Sequence, residues 1–414
     1  MAGALADGYA TATTDAGGPG NSVLIAPGVI DYNSIRNFAH RSLGEEAVIA
    51  KEVIQSFYGQ KPLYSYWNGC SQGGRQGLSL AQNYPDAYNG ISAAAPGLYA
   101  PQLAPTMYWP QQHMNNIKAY PRMCEVDAIV LASVAFCDPK DGITDGLISD
   151  LDSCDFDPFT MVGKVTTCNN ASVVISASAA SVVRATWDGI TSAAGVKLWH
   201  GYAPGADVTG QIYPLFNTAG VVATNCTAGP CRGASTGLGA DWFQNYLAKD
   251  TSFNVTAMTQ EEFEKLYQEG IDEFTSTSAT ANTDLSAFRD AGGKLITFHG
   301  LADAAIPEEG TRKYYTDVSE RFPDVYDFYR YFPIPGLGHC MGGQGGQPTS
   351  LFGQLRAWVE NGTAPTSLTV SFPGTNGTGF ERVLCPYPRK ARFQSACGDS
   401  NKASCWSCNT CVGI

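Results

Sequence analysis

An alternating α/β fold interrupted by one long insertion is what this sequence predicts. Three observations carry it. Strand, turn and helix patterns alternate over residues 8–97, dissolve into cysteine-bearing polar loops over residues 99–282, and return from residue 284. With 414 residues, 44% hydrophobic and 15% charged, the chain can bury a large core and still carry a sizeable insertion.

Residues 9–14, Tyr-Ala-Thr-Ala-Thr-Thr, read as a core strand running into a Gly-Gly-Pro-Gly turn. Residues 43–58 read as a helix with Ala47, Val48, Ala50, Val53 and Ile54 on its apolar face. Residues 63–68 form a strand that ends at Gly69-Cys-Ser-Gln-Gly73, and residues 75–83 form the helix beyond, stopped by Pro85. Residues 90–96, Gly-Ile-Ser-Ala-Ala-Ala-Pro, form a strand of small residues suited to close packing under a helix. Cys124, Cys137, Cys154, Cys168, Cys226 and Cys231 fall in the insertion. After it come a short helix at 284–293, strands at 294–299 and 330–334, and a helix at 351–360. The expected divisions are a first core part at 1–98, the insertion at 99–282, a second core part at 283–384 and a Cys-rich tail at 385–414.

A net charge of −12 repels nucleic-acid phosphate and anionic lipid, so neither is an expected partner. No apolar run reaches the roughly 18 residues a membrane helix needs. Thirteen cysteines call for an oxidising compartment or a metal, and five histidines are too few for zinc clusters. Sequons at Asn170, Asn225, Asn254, Asn361 and Asn376 point the same way, to a secreted glycoprotein. Residues 1–7 have neither the basic nor the apolar part of a signal peptide. The simplest expectation is that the front of the protein, signal and part of the core, is missing from this chain. The odd cysteine count fits that.

Gly69-Cys-Ser-Gln-Gly73 fits G-x-S-x-G, the nucleophile elbow of α/β-hydrolases, in the required strand-turn-helix setting. A serine hydroxyl needs a base to take its proton, and histidine is the usual one. The order in this fold is serine, acid, histidine. Asp303 follows the strand at 294–299 in Gly300-Leu-Ala-Asp303, and His339 follows the strand at 330–334 in a glycine-rich loop. A second His and Asp, His200 and Asp207, rank lower because they lie in the insertion and precede no clear α/β element. Cys70 precedes Ser71 and Cys340 follows His339. One disulfide between them would bolt nucleophile to base.

Asp138-Pro-Lys-Asp-Gly-Ile-Thr-Asp145-Gly146 clusters carboxylates in a turning loop, the hard oxygen ligands that Ca²⁺ prefers. It lacks the EF-hand spacing. Cys137 abuts the loop and Cys154 lies near enough to staple it.

Through these segments the chain resembles the tannase and feruloyl esterase family of secreted serine esterases, from Gly8-Tyr-Ala-Thr-Ala-Thr-Thr-Asp15 to the tail. The carrying residues are Gly69-Cys-Ser-Gln-Gly-Gly74, His299-Gly-Leu-Ala-Asp303, Gly338-His-Cys340 and the acidic loop. The resemblance implies an α/β-hydrolase core with a lid made by the insertion, a triad of Ser71, Asp303 and His339, and a Cys70–Cys340 bridge. It implies calcium remote from the chemistry, held by the carboxylates of Asp138, Asp141 and Asp145 and the carbonyls of Ile143 and Leu147. Family members carry a signal and additional strands before this point, with a Gly-rich loop that gives one oxyanion amide; the Gln72 amide is the other. Implied substrates are phenolic-acid esters, feruloyl or galloyl, free or attached to plant polysaccharide or tannin. Tyr108, Trp109 and Trp242 are candidates for an aryl pocket. Two other readings stand beside this one: a serine peptidase or lipase on the same fold, and a non-catalytic, calcium-stabilised glycoprotein fragment.

Overall fold

The computed structural model describes residues 2–16, 23–214, 220–227, 229–234, 237–374 and 379–409. Its centre is a parallel sheet of β1 (Tyr66–Cys70), β2 (Gly90–Ala94), β3 (Lys294–Gly300) and β4 (Tyr329–Ile334), in the order β4-β3-β2-β1. A sheet covered on both faces uses near-continuous apolar strands. Side chains alternate between its faces. Leu295, Tyr329 and Tyr331 join Leu78, Leu80, Tyr314 and Tyr315 on one side. Ile296, Phe332 and Ile334 join Leu351, Leu355 and Trp358 on the other.

Helix α1 (Ser42–Tyr58) precedes β1, and α2 (Gln72–Asn83) joins β1 to β2. Between β2 and β3 the chain leaves the sheet for α3 (Ala100–Ile117), α4 (Met123–Cys137), α5 (Ala177–Asp188) and α6 (Gln260–Ser278). These build two further apolar clusters, the second closed by Ile30 and Ile35 from ahead of β1. One centres on Met114, Ile129, Val130 and Val183; the other centres on Tyr108, Trp109, Trp242, Phe243, Phe263 and Phe274. Helix α7 (Glu308–Arg321) connects β3 to β4, and α8 (Leu351–Asn361) follows β4. The hairpins β5 (Leu368–Phe372) with β6 (Phe380–Leu384), and β7 (Lys390–Phe393) with β8 (Trp406–Asn409), complete the chain.

Six disulfides bridge Cys70–Cys340, Cys124–Cys168, Cys137–Cys154, Cys226–Cys231, Cys385–Cys408 and Cys397–Cys405. Cys411 and Asn376 lie outside the described residues. Among the described residues no helix is long and apolar enough to cross a membrane.

Two expectations are corrected. Residues 9–14 form no strand; they run as irregular chain along α1. A core strand needs partners for its amides and burial for its side chains; this segment pairs with no strand of the sheet, and its residues are half-buried or exposed. Helix α1 forms as expected, yet it buries Leu43, Gly44 and Ala47 and leaves Val48 and Val53 exposed. Its contact with the core is confined to its first turns.

Candidate active site

The site is built where β1 turns into α2. Ser71 sits at φ 64° and ψ −120°, outside the regions open to most L-residues. Two glycines make that turn possible. A Cβ on Gly69 would come within 2.7 Å of the Gly73 backbone, and one on Gly74 within 2.1 Å of the Ala94 carbonyl oxygen. Helix α2 therefore lies almost against β2, and the Ser71 amide donates to the same Ala94 carbonyl at 3.0 Å. The buried guanidinium of Arg75 secures the helix from behind, donating to the Phe38 and Ala39 carbonyls and to the Gln72 and Thr280 side chains.

His339 arrives from the loop after β4. Its Nε2 is 2.8 Å from Ser71 Oγ, and its Nδ1 is 2.8 Å from Asp303 Oδ2. Asp303 stands in the loop after β3, 2% exposed. Its Oδ1 accepts the amides of Ala305 and Ile306, each at 2.8 Å. Its Oδ2 accepts from both His339 and His299, the latter at 3.0 Å. Burial alone would raise the Asp303 pKa; hydrogen bonds and charge from the two histidines outweigh it and hold the carboxyl below its ordinary range. Burial likewise depresses His339, but the hydrogen bond and charge of Asp303 prevail and raise it above an ordinary imidazole.

The disulfide Cys70–Cys340 ties the residue before Ser71 to the residue after His339, with a Cα–Cα distance of 5.9 Å. Cys340 also has positive φ, 63°, so both ends of the bridge adjoin tight backbone. The Gln72 amide opens the first turn of α2, where amides have no intrahelical acceptor.

The other candidates lie elsewhere. His200 Nδ1 is 3.7 Å from Glu309, and Asp207 accepts from Thr209, Gln211 and Tyr213, so the two do not form a catalytic pair. Tyr108, Trp109 and Trp242 are buried in an apolar cluster that also takes in Ile30 and Ile35. In the acidic loop, Asp138 accepts the amides of Asp145 and Gly146, and Asp141 accepts that of Ile143. Asp145 accepts the Leu147 amide and pairs with Arg382 at 2.8 Å. Burial raises the pKa of both Asp141 and Asp145. Among the described residues no three acidic, His or Cys side chains are placed so that they could together hold a metal ion. The charge of this loop suits a divalent cation; its geometry here is that of a hydrogen-bonded turn.

Sequence reasoning gave no role to Arg75 and none to His299, which it named only within the segment His299-Gly-Leu-Ala-Asp303 that carries the resemblance. His299 carried one signal, its position four residues before Asp303 within a single turn. Arg75 carried none.

A serine on a strained strand-to-helix turn, hydrogen-bonded to a histidine and through it to a buried aspartate, defines an α/β-hydrolase with a serine-hydrolase site. A family model described as tannase and feruloyl esterase matches residues 1–409. A probable feruloyl esterase of Arthroderma benhamiae is 37% identical over 99% of this chain and 76% of its own length. A mono(2-hydroxyethyl) terephthalate hydrolase of Piscinibacter sakaiensis is 28% identical over 99% of this chain and 75% of its own length. The solved tannin acyl hydrolase from Aspergillus niger superposes with a TM-score of 0.83 at 27% identity, covering 94% of this chain and 72% of that one. The chain belongs to the tannase and feruloyl esterase family and is a carboxylic ester hydrolase. Its fold is an α/β-hydrolase core with the insertion as lid.

Proposed function

We propose that this protein hydrolyses esters of phenolic acids, feruloyl or galloyl in type, through an acyl-enzyme on Ser71. The observation that carries the reading is the continuous hydrogen-bond chain from Ser71 Oγ through His339 to Asp303. As Ser71 Oγ bonds to the ester carbonyl carbon, its proton passes to His339 Nε2. The carbonyl oxygen becomes an oxyanion beside the Gln72 amide. Asp303 stabilises the imidazolium and keeps Nδ1 as a donor. When the carbon–oxygen ester bond breaks, His339 returns the proton to the departing alcohol. Water then adds to the acyl carbon and gives a proton to His339; as the bond from that carbon to Ser71 Oγ breaks, His339 returns the proton to Oγ, releasing the acid and restoring the Ser71 hydroxyl.

The acyl preference is supported by the relatives' names, since feruloyl and terephthalate groups are both aromatic. The same site would take such acids whether their alcohol is a small molecule, a plant polysaccharide or a tannin. Six disulfides and exposed sequon asparagines at 170, 225, 254 and 361 support a secreted glycoprotein. Calcium belongs to the reading as a structural ion. Asp138, Asp141 and Asp145, with the carbonyls of Ile143 and Leu147, would hold it; clustered carboxylates facing the single guanidinium of Arg382 favour a cation.

The test is a panel of methyl ferulate, methyl gallate, a long-chain acyl ester and a peptide amide. Turnover confined to the two phenolic esters is expected. Preference for the long-chain ester or the peptide would replace this reading with a lipase or peptidase.

A further inference from the structure

His299 lies at the end of β3 with no exposed surface, and its ring reaches the aspartate that holds His339. Its Nε2 lies 3.0 Å from Asp303 Oδ2 and 3.0 Å from the Ile306 carbonyl oxygen. A carbonyl oxygen only accepts, so Nε2 carries the proton and donates to both. Nδ1 faces Thr311 Oγ1 of α7 at 2.8 Å and accepts its hydroxyl proton. Asp303 Oδ2 thus takes two imidazole donors, His339 from the loop and His299 from the sheet. Both rings are held at both nitrogens, but the far partner of His339 is the reacting Ser71 hydroxyl, whereas that of His299 is Thr311 of α7. Other ionisable groups facing this pair are Glu308, with Arg312 beyond it, from α7 and Tyr202 from the lid.

We propose that His299 is a positioning residue for the reaction: its Nε2–H fixes the Asp303 oxygen that orients His339. A buried carboxylate with two free rotamers would let His339 Nδ1 choose between oxygens. Here Oδ1 is committed to two backbone amides and Oδ2 to His299, so a single oxygen in a single place is presented to His339. This rests on the triad reading above.

Three measurements test it. In the wild-type protein labelled with ¹⁵N-histidine, NMR should show His299 protonated at Nε2; an unprotonated Nε2 overturns the proposal without any variant. His299→Leu should lower kcat by about 10- to 100-fold with KM nearly unchanged. It should also move the acid limb of kcat/KM to higher pH. Without the second donor Asp303 becomes a stronger acceptor for His339, and the imidazolium gains. His299→Gln restores an N–H donor and should recover most of the rate. Wild-type kcat in His299→Leu, or equal losses in both variants with the limb unmoved, would reduce His299 to packing. Failure of the triad itself is distinguishable: Ser71→Ala would then retain activity whatever His299 does.

Discussion

Asp303 has its carboxylate filled by four donors, and its low pKa keeps it ionised at any pH where His339 titrates. The base works only as neutral imidazole. Because Asp303 raises the His339 pKa, the acid limb of kcat/KM should lie above the ordinary imidazole value of about 6.5. Asp303→Asn removes that charge and presents a donor where an acceptor is needed. It should lower kcat by about 10⁴ and move the limb to lower pH, with the fold intact by circular dichroism. A limb unmoved in the variant would assign the acid elsewhere. If Asp207→Asn were the damaging change, the pair in the lid would be the true one. The triad was legible because each member has a motif or a place in chain order. His299 was not, since a histidine ending a strand looks like any buried core residue until its hydrogen bonds are seen.

Helix α2 and the loop after β4 carry the nucleophile and the base, and two covalent or steric constraints keep them together. Cys70–Cys340 closes a loop of 270 residues. Chain-entropy arguments give such a bridge roughly 5 kcal/mol, less any strain. Its placement also fixes Ser71 near His339. Mild reduction should lower activity before the global unfolding transition, followed by fluorescence; loss of both together would make the bridge merely stabilising. The second constraint is the absence of a side chain at Gly74. Gly74→Ala forces a methyl group against the Ala94 carbonyl, which is backbone and cannot rotate away. It should destabilise by about 1–3 kcal/mol in chemical denaturation and impair turnover as the elbow shifts. The elbow was legible because glycine spacing reports backbone crowding directly. The segment at residues 9–14 was misread for a different reason: a short run of strand-favouring residues ahead of a turn reports local propensity, while strand pairing depends on a neighbour that composition does not name.

Across the whole molecule, core and lid have their own apolar clusters but share residues at their junction: Leu147 of the insertion packs with Ile296 and Phe332 of the sheet, and Trp199 packs against clusters of both. Tyr202 of the lid donates to the Ala305 carbonyl at 3.2 Å, so the two touch beside Asp303. The lid was legible as an interruption but not as a structure, although one of its helices carried a helical signal: Phe263, Tyr267, Gly270 and Phe274 are buried at helical spacing along α6. The acidic loop gives a test at this scale. If calcium binds the native state alone, it stabilises by about 2.7 kcal/mol at a hundredfold excess over Kd. A chelator should then lower Tm while turnover, measured where the protein stays folded, is unchanged. An unchanged Tm with no metal by elemental analysis would leave the loop as a hydrogen-bonded acidic turn. The central claim, that Ser71 is the activated nucleophile of an esterase, is tested most directly by replacing it. Ser71→Ala should fold normally, lose methyl ferulate or methyl gallate hydrolysis by about 10³–10⁶ in kcat, and no longer react with a fluorophosphonate that labels the wild type at Ser71. Wild-type turnover in the folded variant, or labelling at another serine, would contradict it.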